Sequence, residues 1–463
     1  MHRTALSLSR MVAAVLAAGA MHAAGAATSL LDAWQAARQH DPAFQAARAQ
    51  WEAGLTKERQ GRALLRPEIA ATGSAGYLTS NRDTTGAQFS APDFGASNNA
   101  TFRTRIDGGA TTGWALTAKQ PLYDAARWAS SRQLDKQAQL ADVEFRSAQQ
   151  QLILRTAQAY FAVVLAEDTL ATLRAQKAAA HRALDEAKEK FEAGATPVTD
   201  RDEAQARYDE ITTQEILAQN NLEMKRVAFT DLTGKPATGL DPVAPDAALD
   251  RGDAGTLAAW KERAEQANPL VVMQKLGRDI ALDEVAKFRA LTSPSVDLVA
   301  RIADERMQGD SGYGTTHITS NTRLLGVQVT IPLFTGGMRS AKRDEAAALA
   351  QKAQADIQAL RQEVLRQTQA AWLAVSTGPT RVRAQEQALK SAQSRLGATE
   401  TGKEVGARTM LDLMNAQTDY YQAQRDLLRA KYDLLFNRLQ LPAAAGSLSE
   451  SDVRAVNSAL AAK

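Results

Sequence analysis

Between Leu122 and Ala193 the apolar positions recur at alternating steps of four and three, and neither glycine nor proline interrupts them. From Leu134 the stripe passes through Ala138, Ala141, Phe145, Ala148 and Leu152, then Ala159, Val163, Ala166, Leu170 and Leu173, then Ala180, Leu184, Ala187 and Phe191. Thr156 and Lys177 are its polar breaks. Such a heptad buries one face of a helix against partner helices. At about 1.5 Å per residue the run makes roughly 105 Å of helix, several times the span of a compact domain. After Gly194 and Pro197 a second register, Ala204, Tyr208, Ile211, Ala218, Leu222, Phe229 and Leu232, predicts a helix from Thr199 to Thr233. It returns along the first as an antiparallel hairpin.

The same plan recurs later in the chain. Pro42, in a helical stretch opening at Leu30, corresponds to Pro269, in one opening at Thr256. An equal offset relates Pro67 to Pro294, where helix gives way to extended chain. Further on, Gln120-Pro121-Leu122-Tyr123 matches Ile331-Pro332-Leu333-Phe334, Gly194 matches Gly406, and Tyr208 matches Tyr420. A duplication with drift in loop length accounts for these matches. It divides the chain into a first repeat (27–245, with a strand pair near 69–120 and a hairpin 122–233), a second (246–441, with a strand pair near 295–333 and a hairpin 338–441), and a tail, 442–463. In the second long helix Ala346, Ala350, Ala353, Ile357, Leu360 and Val364 begin the stripe, but Gly378-Pro379 interrupts it. That predicts a kink or a junction between stacked helices.

The strand pairs alternate with period two. Val327, Val329, Ile331 and Leu333 fall on one face, with Gly326, Gln328 and Thr330 on the other, and Val296, Leu298, Ala300 and Ile302 alternate likewise with polar residues. Between the members of each pair, Asn81 to Gly109 and Gln308 to Asn321 read as polar solvent loops. Strands of about 10 to 12 residues with one apolar face suit an outer-membrane barrel. Four strands from one chain leave open edges, which lipid does not tolerate, so closure needs several copies, and a trimer supplies about twelve strands. The fold class is therefore mainly α with membrane β: a long antiparallel coiled-coil barrel forming a tunnel, continuous with a trimer-shared twelve-stranded barrel.

Composition narrows this reading. Arg3 and Arg10 precede an apolar stretch, Met11 to Ala20, which is followed by the small residues Ala24-Gly25-Ala26, the pattern of a secretory signal peptide over 1–26. No later stretch has the length of a transmembrane helix. With no cysteine, the chain has neither a disulfide nor an acylation site. Lys+Arg of 55 against Asp+Glu of 52 gives a formal charge of +3, so no general pull toward nucleic acid exists. The five histidines lack ligand spacing, and neither a phosphate loop nor a nucleophile elbow occurs, so we expect no enzyme, metal or cofactor.

Candidate chemistry concentrates at the two hairpin turns, Gly194 to Asp200 and Gly406 to Asp412. Thr199 and Thr409 are placed as N-caps, with the carboxylates of Asp200 and Asp412 in the first helical turn. If several hairpins converge at the end of a tube, those carboxylates form a ring, Arg408 can tie one hairpin to its neighbour, and the constriction selects cations.

Matched segments then carry a family resemblance: Gln149-Gln150-Gln151-Leu152-Ile153-Leu154 through Ala159-Tyr160-Phe161, Ala204 to Asp209, Val405-Gly406-Ala407-Arg408-Thr409, and Gly446-Ser447-Leu448 with Asp452 and Asn457 to Leu460. In this order they resemble the TolC family of outer-membrane exit ducts over essentially the whole mature chain. The resemblance implies a homotrimer in the outer membrane of a Gram-negative cell, a helical periplasmic tunnel, and a mixed belt taking in Leu240 to Asp253 and the tail. It places Asp412 on a ring aspartate that closes the periplasmic end, and Arg408 on a linking arginine whose partners fall on Thr199 and Asp200. This chain departs from the family where Asn415 replaces a second ring aspartate, Lys403 replaces a gate tyrosine, and Glu400 faces Ala183 in place of a glutamine. Whether Lys403 pairs with Asp200 is left open at this point.

The implied function is export from an inner-membrane transporter, of ABC type, through a periplasmic adaptor and out across the outer membrane, with iris-like opening of the hairpins. Type I protein secretion is the leading substrate class. The alternatives are the outer-membrane component of a multidrug efflux pump and, as a third reading, a periplasmic adaptor.

Overall fold

The computed structural model describes residues 28–460 apart from 94, 245–246, 248, 250–254, 290–292 and 311–313. The signal peptide expected over 1–26 and parts of the belt segment lie outside these. The described elements are α1 (Leu30–His40), α2 (Pro42–Ala63), β1 (Glu68–Ala91), β2 (Gly95–Asp124), α3 (Ala125–Glu192), α4 (Val198–Thr233), α5 (Leu257–Ala267), α6 (Pro269–Lys287), β3 (Ser295–Asp310), β4 (Thr315–Thr330), α7 (Met338–Glu404), α8 (Met410–Ala444) and α9 (Glu450–Asn457). The heptad run is one helix of 68 residues. Packing divides the chain into two units, one of 1–53, 141–275 and 355–463, the other of 54–140 and 276–354.

The second unit holds a four-stranded antiparallel sheet in the order β1-β2-β3-β4. Paired residues share a face, so the register sorts the side chains. One row carries Ile69, Ala118, Ala300 and Leu325, and the next Ala71, Leu116, Ile302 and Arg323. Ile69 is 68% exposed and Leu325 75%. The opposite face is polar: Lys119 pairs with Asp297 at 2.9 Å, and Arg301 lies opposite Thr117. The period-two alternation thus sorts to an exposed apolar face and a polar one, and β1 and β4 end the sheet without a further partner among the described strands.

The strands outrun their sequence signal. β1 has 24 residues and β2 has 30, so most of the segment read as the solvent loop Asn81 to Gly109 is a paired ribbon. β3 and β4 likewise take up both ends of Gln308 to Asn321, while β4 stops at Thr330, short of Leu333. Backbone pairing satisfies the N–H and C=O groups with no need for an apolar face, so a ribbon polar on both sides leaves no alternation to read.

In the first unit the hairpins pack through the small apolar stripe. Leu152, Tyr160, Val163, Val164 and Phe229 are essentially inaccessible and join Leu434, Leu435 and Leu439 in one core. Around it lies mixed structure: Thr28 bridges Leu240 in parallel, Val243 bridges Leu460 antiparallel, and α9 packs on α1 and α8. The Tyr160 hydroxyl accepts the Asp241 N–H at 2.7 Å and lies 3.0 Å from the Thr28 carbonyl, which joins α3 to both bridge strands.

Of the kink or junction expected at Gly378-Pro379, the junction is absent. α7 is one helix of 67 residues with Pro379 inside it. A Cβ on Gly378 would stand 2.6 Å from Leu434 Cδ1, so the glycine serves the close approach of α8.

Candidate functional site

Both hairpins reverse with the same hydrogen-bond pattern. In the first, Gly194 N–H donates to the Phe191 carbonyl at 2.9 Å and Ala195 N–H to Lys190 at 2.8 Å. In the second, Gly406 donates to Lys403 at 3.0 Å and Ala407 to Gly402 at 2.7 Å. Each is a Schellman cap, which needs a left-handed residue just past the helix, and Gly194 and Gly406 have φ of 71° and 77°.

The helices that follow start differently. Thr409 caps α8: its hydroxyl accepts the Asp412 N–H at 3.1 Å, while Asp412 Oδ2 accepts the Thr409 N–H at 3.1 Å. The reading of Thr409 as an N-cap therefore holds. Thr199 is not the N-cap of α4. Pro197 takes that position with φ −69° and no side-chain cap, because the ring presets the entry geometry and Val198 becomes the first helical residue. Thr199 is exposed, and Asp200 stands in the uncapped first turn.

The hydrogen bonds from Thr409, with the nearby Arg408 guanidinium, hold the Asp412 carboxyl below the usual carboxylate range. One turn on, Asn415 accepts a marginal 3.5 Å contact from Arg207 of α4. Arg408 is exposed, and among the described residues of the protomer it forms neither a hydrogen bond with Thr199 nor an ion pair with Asp200. Its side chain passes over Gly402, where a Cβ would stand 2.8 Å from Arg408 Cγ.

Lys403 does not meet Asp200. Its ammonium donates to Glu186 of α3, which also accepts from Lys190 at 2.8 Å. Sequence reading missed this pair, since nothing local relates positions on helices so far apart. It also missed the apolar plug beneath the turns, where Met410, Leu413 and Met414 pack on Ala183, Leu184, Ala187 and Ala204. The spacing of Met410, Leu413 and Met414 could have disclosed that plug. Glu400 makes no hydrogen bond or ion pair among the described residues, and Ala183 is buried in the plug. No group of metal-ligating side chains occurs among the described residues, and no described helix is long and apolar enough to cross a membrane.

Comparison with known proteins agrees with this architecture. The chain is 30% identical over 444 residues to outer membrane protein TolC of Vibrio cholerae, covering 96% of each. It is 30% identical over 433 residues to the proteases secretion protein PrtF of Dickeya chrysanthemi, covering 92% of this chain and 90% of that one. It is 30% identical over 432 residues to the alkaline protease secretion protein AprF of Pseudomonas aeruginosa, covering 93% and 87%. Among solved structures, the outer membrane protein VceC of Vibrio cholerae shares the fold with a TM-score of 0.71 at 17% identity, over 90% of this chain and 96% of that one. The outer membrane efflux protein family matches residues 33–235 and 260–447. The chain belongs to that family and is an outer-membrane exit duct.

Proposed function

We propose that three copies close their four-stranded sheets into one twelve-stranded barrel in the outer membrane, and their paired hairpins into a periplasmic tunnel gated at the Gly194 and Gly406 turns. One observation carries this reading: a sheet with an exposed apolar face and two unsatisfied edges is stable in lipid only when copies pair edge to edge. On that face Trp114 and Tyr123 bound the apolar rows, and the strand between them, tilted, rises roughly 25 Å, the height of an outer-membrane apolar band. The two family matches, one in each half, support the reading of two repeats. At the gate, Asp412 from each copy lines the constriction beside Asn415, and Arg408 reaches Thr199 and Asp200 of a neighbouring copy, since it has no such partner in its own. An adaptor and an inner-membrane transporter, of ABC type, engage the turns and bias them open.

The relatives PrtF and AprF, named for protease secretion, favour type I protein export for this chain as well. The family description, and the likeness to the outer membrane efflux protein BepC of Brucella suis at 23% identity over 304 residues, support drug efflux as the second reading. Because the chain has no cysteine, engineered pairs test the assembly cleanly. One cysteine placed along β1 from Glu68 to Tyr77 and one along β4 from Thr319 to Val329 should crosslink the protein as far as trimer and no further. A crosslinked species confined to monomer or dimer at every pairing would reject the shared barrel. Crosslinking in cells and identification of the captured transporter separates the substrates: an ABC transporter supports protein export, and a proton-driven pump supports drug efflux.

A further inference from the structure

A cavity of about 310 Å³ opens between α1, α3 and the chain entering α9, with Trp34, Arg38, Phe44, Arg146 and Gln149 in its wall and Ser449-Glu450 along one side. A second cavity, of about 540 Å³, shares Arg38, Phe44 and Gln149 and adds Arg48 and Trp51. The two form one groove within the first unit.

Donors outnumber acceptors in this groove. Trp34 is 7% exposed, and its indole Nε1–H is shielded from water with no hydrogen-bond partner, a state that native interiors seldom keep without a reason. The Arg38 guanidinium lies over the Trp34 ring, 5.2 Å from its centroid, and neither Arg38 nor Arg146 forms an ion pair among the described residues. The carboxylates nearby are engaged: Glu450 with Arg454 at 2.5 Å, Glu52 with Arg48 at 3.3 Å, Asp41 with Arg155 at 2.5 Å, and Asp142 with the Trp51 N–H at 2.6 Å. What remains is two unneutralised guanidinium groups and one orphan indole donor among walls of mixed apolar and neutral polar side chains.

We propose that this groove binds an acidic peptide segment of a partner protein, with its carboxylates on Arg146 and on Arg38, whose guanidinium the Trp34 ring supports. Two cavities adjoin through Arg38, Phe44 and Gln149, and Phe44, Ile153 and Leu448 stand in the walls beside the cationic groups. That fits an extended chain bearing spaced carboxylates better than a compact phosphate. Nothing in the proposal depends on the gate assignment.

The test titrates a fluorescein-labelled hexaglutamate peptide against the full-length protein in detergent at physiological salt, read by anisotropy. Saturable binding is expected. It should weaken about tenfold or more in Arg38→Gln/Arg146→Gln, severalfold in Trp34→Phe, and recover in large part in Arg38→Lys/Arg146→Lys. A distant control, Arg381→Gln, should bind as the parent does. Binding unchanged by the Arg38/Arg146 pair, or lost equally in Arg381→Gln, would overturn the proposal. Displacement by inorganic phosphate more effective than by unlabelled peptide, at matched ionic strength, would overturn it in favour of a phosphate site. Thermal melts of each variant show whether any loss reflects unfolding, and the lysine pair keeps the proposal open to refutation if the glutamine pair fails to fold.

Discussion

Lys403 on α7 is ion-paired with Glu186 on α3, and the lysine side chain is only 12% exposed. Burial works to raise the Glu186 carboxyl, but hydrogen bonds from Lys190 and Lys403 outweigh it and hold the group below its ordinary value of 4.5. A carboxyl depressed in the folded state contributes stability above its unfolded pKa, and that contribution is lost as pH falls through the folded value. Hydrogen exchange in residues 184–192 should therefore accelerate, relative to the rest of α3, as pH drops below about 4.5. Lys403→Met should remove part of that pH dependence, since Lys190 still bonds Glu186, and an unaltered exchange profile in the variant would show that the Lys403–Glu186 pair does not hold the tip.

Asp412 combines a cap with a charge, and the two can be separated. Thr409→Ala deletes the hydroxyl that accepts the Asp412 N–H while leaving both the carboxylate and its bond from the Thr409 backbone N–H, so the start of α8 should lose about 1 kcal/mol and the Asp412 carboxyl should move only part of the way up toward its ordinary range. NMR titration of labelled aspartate reads that shift directly. Thr409→Ser should keep both properties.

Gly378 and Leu434 make a coupled pair. Alanine favours a helix over glycine by up to about 1 kcal/mol, but a Cβ there would stand 2.6 Å from Leu434, which is 1% exposed. Gly378→Ala should therefore destabilise by about 1–2 kcal/mol, an overpacking effect. Leu434→Ala alone should cost about 2–5 kcal/mol. In the double variant the costs should fall short of additive by about 1 kcal/mol, as denaturant unfolding in detergent would reveal.

Tyr160→Phe should cost about 1–3 kcal/mol, since it strips the acceptor from the buried Asp241 N–H and unties the bridge strands from α3. Protection of the Asp241 amide in hydrogen exchange should fall with it. Tyr432→Phe removes a 2.7 Å bond to Asp168 and serves as a comparison within the same core.

What the sequence disclosed, and what it hid, follows from the kind of interaction. The helix from Ala125 to Glu192 was legible because its packing repeats every seven residues and neither glycine nor proline interrupts it. The alternation in Val296 to Ile302 was legible because one face of the sheet is apolar. The ribbon beyond Ser80 was not, because backbone pairing alone builds it. Gly378-Pro379 suggested a junction between two helices because a break in local pattern is all the sequence shows, whereas one helix runs through both residues and Gly378 lies in close contact with Leu434. At the site, Thr409 and Asp412 were legible as a local cap. Thr199 was not, because Pro197 took its place, and the partner of Lys403 lay on a helix far away in sequence.

The central claim is that the protein is a pore constricted at the hairpin turns, and single-channel recording of the purified full-length protein in planar bilayers tests it most directly. The parent should form channels of small, cation-selective conductance. Arg408→Ser should enlarge the conductance by loosening the links between copies, and Asp412→Ala should weaken cation selectivity and cation block. Absence of channels from the folded protein, or a conductance and block unchanged in both variants, would contradict the account.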